Sequence, residues 1–207
     1  EVVGHQYGDH FYPNMSGVLR SINYYPIGNE TAEDGIASLA LGLGKYIVDG
    51  GLTLRVSPYH PDQVMQTSEV ETALRETQTQ FYALDMSDVG SDFKVNDGFN
   101  IMKLKVKDAE YDKSLNYIVS TFDPYDQMIY DGLYDGGRKI ISFAGVLQQD
   151  VFPLPEILQM SMKYGAGAMR RPVEIEFACN INEDKTGEFY LLQIRPIVEA
   201  KGMLEED

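Results

Sequence analysis

Residues 173–197 read VEIEFACNINEDKTGEFYLLQIRPI. Two apolar runs flank the polar loop NINEDKTG, which is the pattern of a β-hairpin. Polar groups interrupt both runs, Glu174 and Glu176 in the first, Gln193 and Arg195 in the second. Side chains two apart on a strand share a face. Glu174 and Glu176 are therefore expected together, with Ile175 and Phe177 opposite. The same rule groups Leu191, Gln193 and Arg195 against Tyr190, Leu192 and Ile194. Gly187 is available for a positive φ in the loop. A register that sets 176 beside 193 and 174 beside 195 gathers all four polar groups into one patch.

Such a patch suits a metal-bound polyphosphate. Carboxylate and amide oxygens are hard donors for Mg²⁺, which completes its shell with water and substrate phosphate. A guanidinium grips phosphate oxygens through a fork of donors. The cation and Arg195 would stabilise charge on a transferring phosphoryl group. A simpler reading of the same spacing is a cross-strand ion pair, Glu174 with Arg195, on an exposed sheet face, worth roughly 0–1 kcal/mol. Spacing alone leaves both open.

The 207 residues suffice for one large domain or two small ones with a real core. The formal charge of −15 repels phosphate backbones, so nucleic acid is not expected as a general partner. A nucleotide stays possible, because metal ions reverse the field locally. No apolar run approaches the roughly 20 residues of a membrane helix, so no membrane partner is expected. The opening EVVGHQYGDH is not a signal peptide, and a start at Glu1 reads as a piece of a longer chain. Cys179 is the single cysteine, which fits a reducing cytoplasm.

Elsewhere the chain alternates strand and turn signals. Strands are expected at 16–25 (SGVLRSINYY), 52–57 (LTLRVS), 115–122 (LNYIVSTF) and 138–147 (RKIISFAGVL). IASLALGLG, 36–44, is a short apolar segment closed by Gly42 and Gly44. Residues 123–137, DPYDQMIYDGLYDGG, are turn-rich. PLPEILQMSMKYGAGAMRR, 153–171, is expected as a helix, with Pro155 in its first turn and Ile157, Leu158, Met160, Met162 and Tyr164 as an apolar face. Gly165 and Gly167 weaken its second half. In 62–113 a helical spacing at Val70, Ala73 and Leu74 precedes the strand-like FYALDM and NIMKLKVKDA. Lys103, Lys105 and Lys107 would line a solvated face or a protected edge, or form an anion stripe. The expected division is 1–61 with 114–200 as the main unit, 62–113 as an inserted β-rich subdomain, and 201–207 as a tail.

Minor features carry less. The spacing HxxxDH at His5, Asp9 and His10 fits no zinc pattern, and His10 reads as part of the turn before the first strand. GLGK at 42–45 does not satisfy the phosphate-loop motif and reads as a turn, with a backbone approach to nucleotide open. The 14 tyrosines suit cores and strand faces more than sugar stacking.

The segment YGAGAMRRPVEIEFA…GEFYLLQIRPI resembles the close of the ATP-grasp nucleotide-binding domain of the phosphoenolpyruvate synthase and pyruvate phosphate dikinase family. That family reads P-x-D-I-E-W/F-A, a loop, then L-Y-L-L-Q-x-R-P. Glu176, Gln193, Arg195 and Pro196 match, and Glu174 stands for the usual Asp. YPNMSGVLRSINYYP, 12–26, is similar to the family strand S-G-V-A-F-S-R-N-P, matching at Ser16, Gly17, Val18, Ser21 and Asn23. The family's Arg is Ile22 here, and Arg20 falls two positions earlier. LALGLGKYIVDGG resembles the G-L-G stretch that follows. The resemblance implies an α+β, mostly antiparallel ATP-grasp-like fold with few helices. It implies that Glu176 and Gln193 hold Mg²⁺, that Glu174 assists with metal or nucleotide, and that Arg195 contacts phosphates. Arg20 is the remaining candidate for a nucleotide contact from the first strand.

These enzymes phosphorylate a histidine on a swivelling domain from ATP, then pass the phosphoryl group to pyruvate. The phosphohistidine signature is absent, and His5, His10 and His60 lack its context. The upstream half of the grasp, with its Lys and Arg, is absent too. The chain therefore reads as the second half of a grasp, a phosphotransferase fragment inactive alone. It needs that upstream half and a phosphohistidine domain as partners in the parent chain. A degenerate binding or regulatory module, and a glucan-type dikinase, are the alternatives.

Overall fold

The computed structural model describes residues 2–87 and 100–198. Twelve strands and four α-helices are present among them: β1 His5–Tyr7, β2 His10–Tyr12, β3 Met15–Arg20, β4 Ile36–Ala40, α1 Lys45–Val48, β5 Leu54–Val56, α2 Val70–Glu76, β6 Gln80–Asp85, β7 Ile101–Lys105, β8 Val119–Asp123, β9 Met128–Asp131, β10 Arg138–Ile141, α3 Ala144–Leu147, α4 Leu154–Met169, β11 Val173–Ile181 and β12 Gly187–Pro196. The fold is α+β. The strand pairs are antiparallel. They form a five-stranded sheet β12-β11-β3-β4-β5, a four-stranded sheet β1-β2-β6-β7 and a three-stranded sheet β10-β8-β9.

The five-stranded sheet is built on the hairpin. Its back face carries Ile175, Phe177, Cys179 and Leu19, all buried. Here α4 lies against β11 and β12. Gly165 is the close-approach point, since a Cβ there would stand 2.7 Å from Ile194 Cδ1. The glycine thus seats the helix, which runs unbroken to Met169. Leu158 and Met162 face inward as expected, but Met160 and Tyr164 are exposed and leave the apolar face narrower than the sequence suggested. The SGV motif has a packing cause as well. The Phe177 ring lies over Gly17, so close that a Cβ would meet its Cζ at 2.2 Å.

One continuous apolar core joins the three sheets, including Tyr12, Leu39, Phe81, Ile118, Ile141 and Phe177. Polar groups tie it at defined points. Tyr12 Oη donates to Asp112 Oδ2 at 2.6 Å, and Asn14 Nδ2 donates to the Ser114 carbonyl at 2.9 Å. Asn14 Oδ1 accepts from the Ile181 amide at 2.9 Å, satisfying the end of β11. Burial and the Asp112 hydrogen bond push the Tyr12 phenol far above its ordinary pKa.

Several expectations need correction. The first long strand ends at Arg20, because the chain turns at Ser21–Asn23, where Asn23 Oδ1 accepts from the Tyr25 amide. His10 is no turn residue; it opens β2, opposite Tyr7. The stretch 138–147 is not one strand. Phe143 adopts φ +52°, which breaks β10 and starts α3. Residues 115–118 precede β8 as turns, and β9 lies hidden in the turn-rich 123–137. Lys103 and Lys105 are exposed on the edge strand β7, whereas Lys107 sits in a 3₁₀ turn. No described helix is long and apolar enough to cross a membrane.

Candidate functional site

The register places Glu176 opposite Gln193 and Glu174 opposite Arg195. On the other flank of β11, Glu174 faces Arg20 and Glu176 faces Val18. Cross-strand partners share a face, so these residues stand together on the front of the sheet, away from α4. Alternation fails at one point. Glu176 pairs with Gln193 but Phe177 pairs with Leu191, leaving Leu192 as an extra residue, a β-bulge. Leu191 therefore belongs with Phe177 on the back face, not with Gln193 and Arg195.

Glu174 is the anchor of the patch. Arg20 Nε donates to its Oε2 at 2.7 Å, and Arg195 Nε donates to its Oε1 at 2.9 Å, joined by Arg195 Nη2. The carboxylate side chain is 9% exposed, while the two arginines are about half exposed. Burial alone would raise the Glu174 pKa, but the hydrogen bonds from Arg195 and Arg20 outweigh it and hold the carboxyl below the usual glutamate value. The ion pair expected as the simpler reading is therefore real. It is buried rather than exposed, and it has a third member.

Glu176 is half-buried and makes no ion pair among the described residues. Its carboxylate and the Gln193 amide form two adjacent oxygen donors. Among the described residues no three His, Cys, Asp or Glu side chains gather as a self-sufficient metal site. A cation here would draw most of its ligands from water and substrate, the habit of Mg²⁺.

Val18, Arg20, Glu174, Glu176 and Arg195 line one wall of a cavity of about 430 Å³. Ile36, Ile47, Val48, Tyr24 and Tyr25 supply apolar and aromatic surface to it. Gln193 is exposed beyond that lining. Another cavity, of about 650 Å³, collects Tyr125, Tyr130 and Tyr134 on the three-stranded sheet, with no basic side chain in its lining. His5 and His10 lie on neighbouring strands without a common ligand geometry; His10 Nδ1 is 3.7 Å from Asp112 Oδ2. At GLGK, Gly42 has φ +86°, and a Cβ there would stand 2.6 Å from the Tyr82 carbonyl oxygen, so its glycine answers to a turn and a close contact.

Arg55 also reaches the front cavity and was not singled out in the sequence. The signal was present in LTLRVS: Leu54 and Val56 are buried, which sends Arg55 to the opposite face.

The antiparallel sheet with its acid–amide–arginine hairpin, beside a nucleotide-sized cleft, defines an ATP-grasp-like nucleotide-binding domain. Residues 2–206 match the family described as pyruvate phosphate dikinase, AMP/ATP-binding domain, and the chain belongs to that family. It is thus the ATP-binding part of a dikinase-family phosphotransferase. No curated protein matches the chain.

Proposed function

We propose that this chain forms the metal- and phosphate-gripping wall of the ATP site in a dikinase resembling phosphoenolpyruvate synthase. The observation that carries the reading is Glu176 beside the Arg195–Glu174–Arg20 cluster on one wall of one cleft, with Gln193 paired to Glu176 at its margin. Glu176 and Gln193 would hold Mg²⁺, which shields phosphate charge when bound. Arg195 and Arg20 stabilise charge on the phosphoryl group as it leaves. Glu174 is a positioning residue, because both its oxygens are spent on the two guanidiniums.

The parent enzyme converts ATP, pyruvate and water to AMP, phosphoenolpyruvate and phosphate. The β-phosphoryl travels on a histidine of another domain, and an upstream segment supplies the second half of the clamp. The fragment alone is inactive in this reading. Residues 62–113 are an insertion, docked on the main unit through Phe81 and through Gln78, which donates to the Leu41 carbonyl and accepts from its amide. The single buried thiol, Cys179, is in keeping with a cytoplasmic enzyme.

The test is a labelling experiment on the full-length protein, given Mg²⁺ and ATP labelled at the β or the γ position. Acid-labile label from the β position on histidine is expected. Folded protein that takes label from neither position would overturn the dikinase reading in favour of a degenerate binding module.

A further inference from the structure

Arg55 enters the cleft from β5, the sheet edge farthest from the hairpin. In the ladder Arg55 faces Ser38, Ser38 faces Val18, Val18 faces Glu176, and Glu176 faces Gln193. One residue from each of five strands thus forms a single row on the front face. Three strand spacings, roughly 14 Å, separate the backbones of Arg55 and Glu176. The Arg55 guanidinium is held in place. Its Nη2 donates to Asn23 Oδ1 at 2.8 Å and to the Tyr25 carbonyl at 2.6 Å. Both anchors follow β3, so the head group is drawn inward across β4.

These bonds use one nitrogen. Nε and Nη1 have no hydrogen-bond partner among the described residues, and the side chain lines the cavity. A buried carboxylate stands behind it. Glu30 Oε2 accepts from Asn23 Nδ2 at 2.8 Å and from the Ile27 amide at 3.1 Å, and lies 3.6 Å from Arg55 Nη2. The other oxygen, Oε1, is buried with no hydrogen-bond partner among the described residues. An arginine serving only that carboxylate would turn its fork onto it, as Arg195 does onto Glu174. Arg55 instead keeps donors aside and leaves Glu30 half met. Tyr25, Ile36, Ile47 and Val48 share its cavity and suit a base and sugar.

We propose that Arg55 is a further phosphate-contacting residue and grips the phosphate nearest the nucleoside, while the hairpin takes the distal phosphates. This rests on the ATP-site reading above. The experiment is calorimetric titration of full-length protein with ATP, ADP, AMP and adenosine, in Mg²⁺. The variants are Arg55→Lys and the double variant Glu30→Gln/Arg55→Gln, which removes the buried charge together with its partner. The double variant should weaken ATP, ADP and AMP alike, on the order of 10- to 100-fold, and leave adenosine unchanged. Arg55→Lys should lose less, because charge persists without the fork. Wild-type AMP affinity in both folded variants, even with a lowered Tm, would reduce Arg55 to a structural role and sink the proposal. A loss confined to ATP would overturn the assignment to the proximal phosphate. Wild-type protein that binds no nucleotide would instead remove the ATP site itself, and this proposal with it.

Discussion

The two faces of the five-stranded sheet come from the same strands and obey different rules. On the back face Phe177 fills the space over Gly17, and Ile194 meets Gly165 of α4. Shape decides everything there. On the front face Gln193, Glu176 and Arg55 stand in a row, the latter two lining open volume, and charge decides. Substitutions behind the sheet should act through stability, and those in front through ligand. Glu174 crosses that divide, since it faces front yet is buried like a core residue.

The largest effect is expected in front. Glu176→Gln removes a carboxylate with no ion-pair partner among the described residues, and should cut phosphoryl transfer by on the order of 10³-fold or more. Its folding free energy, from urea denaturation, should stay within about 0.5 kcal/mol of wild type. A stable, fully active variant would break the division of labour. Behind the sheet, Gly17→Ala forces a methyl into the Phe177 ring and should cost about 3 kcal/mol by the same measurement. A loss below a few tenths would mean that the ring moves freely and that the back face is not shape-limited.

Glu174→Gln sharpens the comparison from the middle. It should cost about 2 kcal/mol, less than a fully buried pair, because water reaches both arginines. The folded-state pKa of Glu174 is depressed, so its contribution is full above about pH 4.3 and is lost as pH falls through the folded value. Unfolding curves across pH 2–6 should therefore show a shallower acid limb in the variant; parallel limbs would refute the coupling. Glu30→Gln is the smallest change, under about 1 kcal/mol, since a side-chain carbonyl can keep the Asn23 and Ile27 bonds. A loss as large as that of Glu174→Gln would make Glu30, too, a core-like anchor.

Much of this was legible in the sequence, for physical reasons. Period-two alternation put Glu174 and Glu176 on one face and grouped Gln193 with Arg195, but the register that sets the two pairs side by side entered only as a condition, and the bulge is what produces it. The bulge was not legible, because Leu191, Leu192 and Gln193 look the same with or without an extra residue. Arg20 was legible as a position but not as a partner of Glu174, since that contact joins residues 154 apart in the chain. Arg55 was overlooked because its strand is short and its neighbours are apolar. The break at Phe143 left no mark either, since RKIISFAGVL carries no glycine or proline at the left-handed position.

The bulge at Leu192 sets what length the hairpin tolerates. It divides β12 into two segments of opposite phase, with Phe189 and Leu191 on the back face, Phe189 packed on the core, and Gln193 and Arg195 on the front face. Removing residue 192 would force the segments into one phase, so that either the core contacts or the cleft contacts turn away. Changes of length in the exposed tip, residues 182–186, leave that phase untouched. Homologous chains aligned here should vary freely at the tip and keep a fixed count of residues between Phe189 and Gln193.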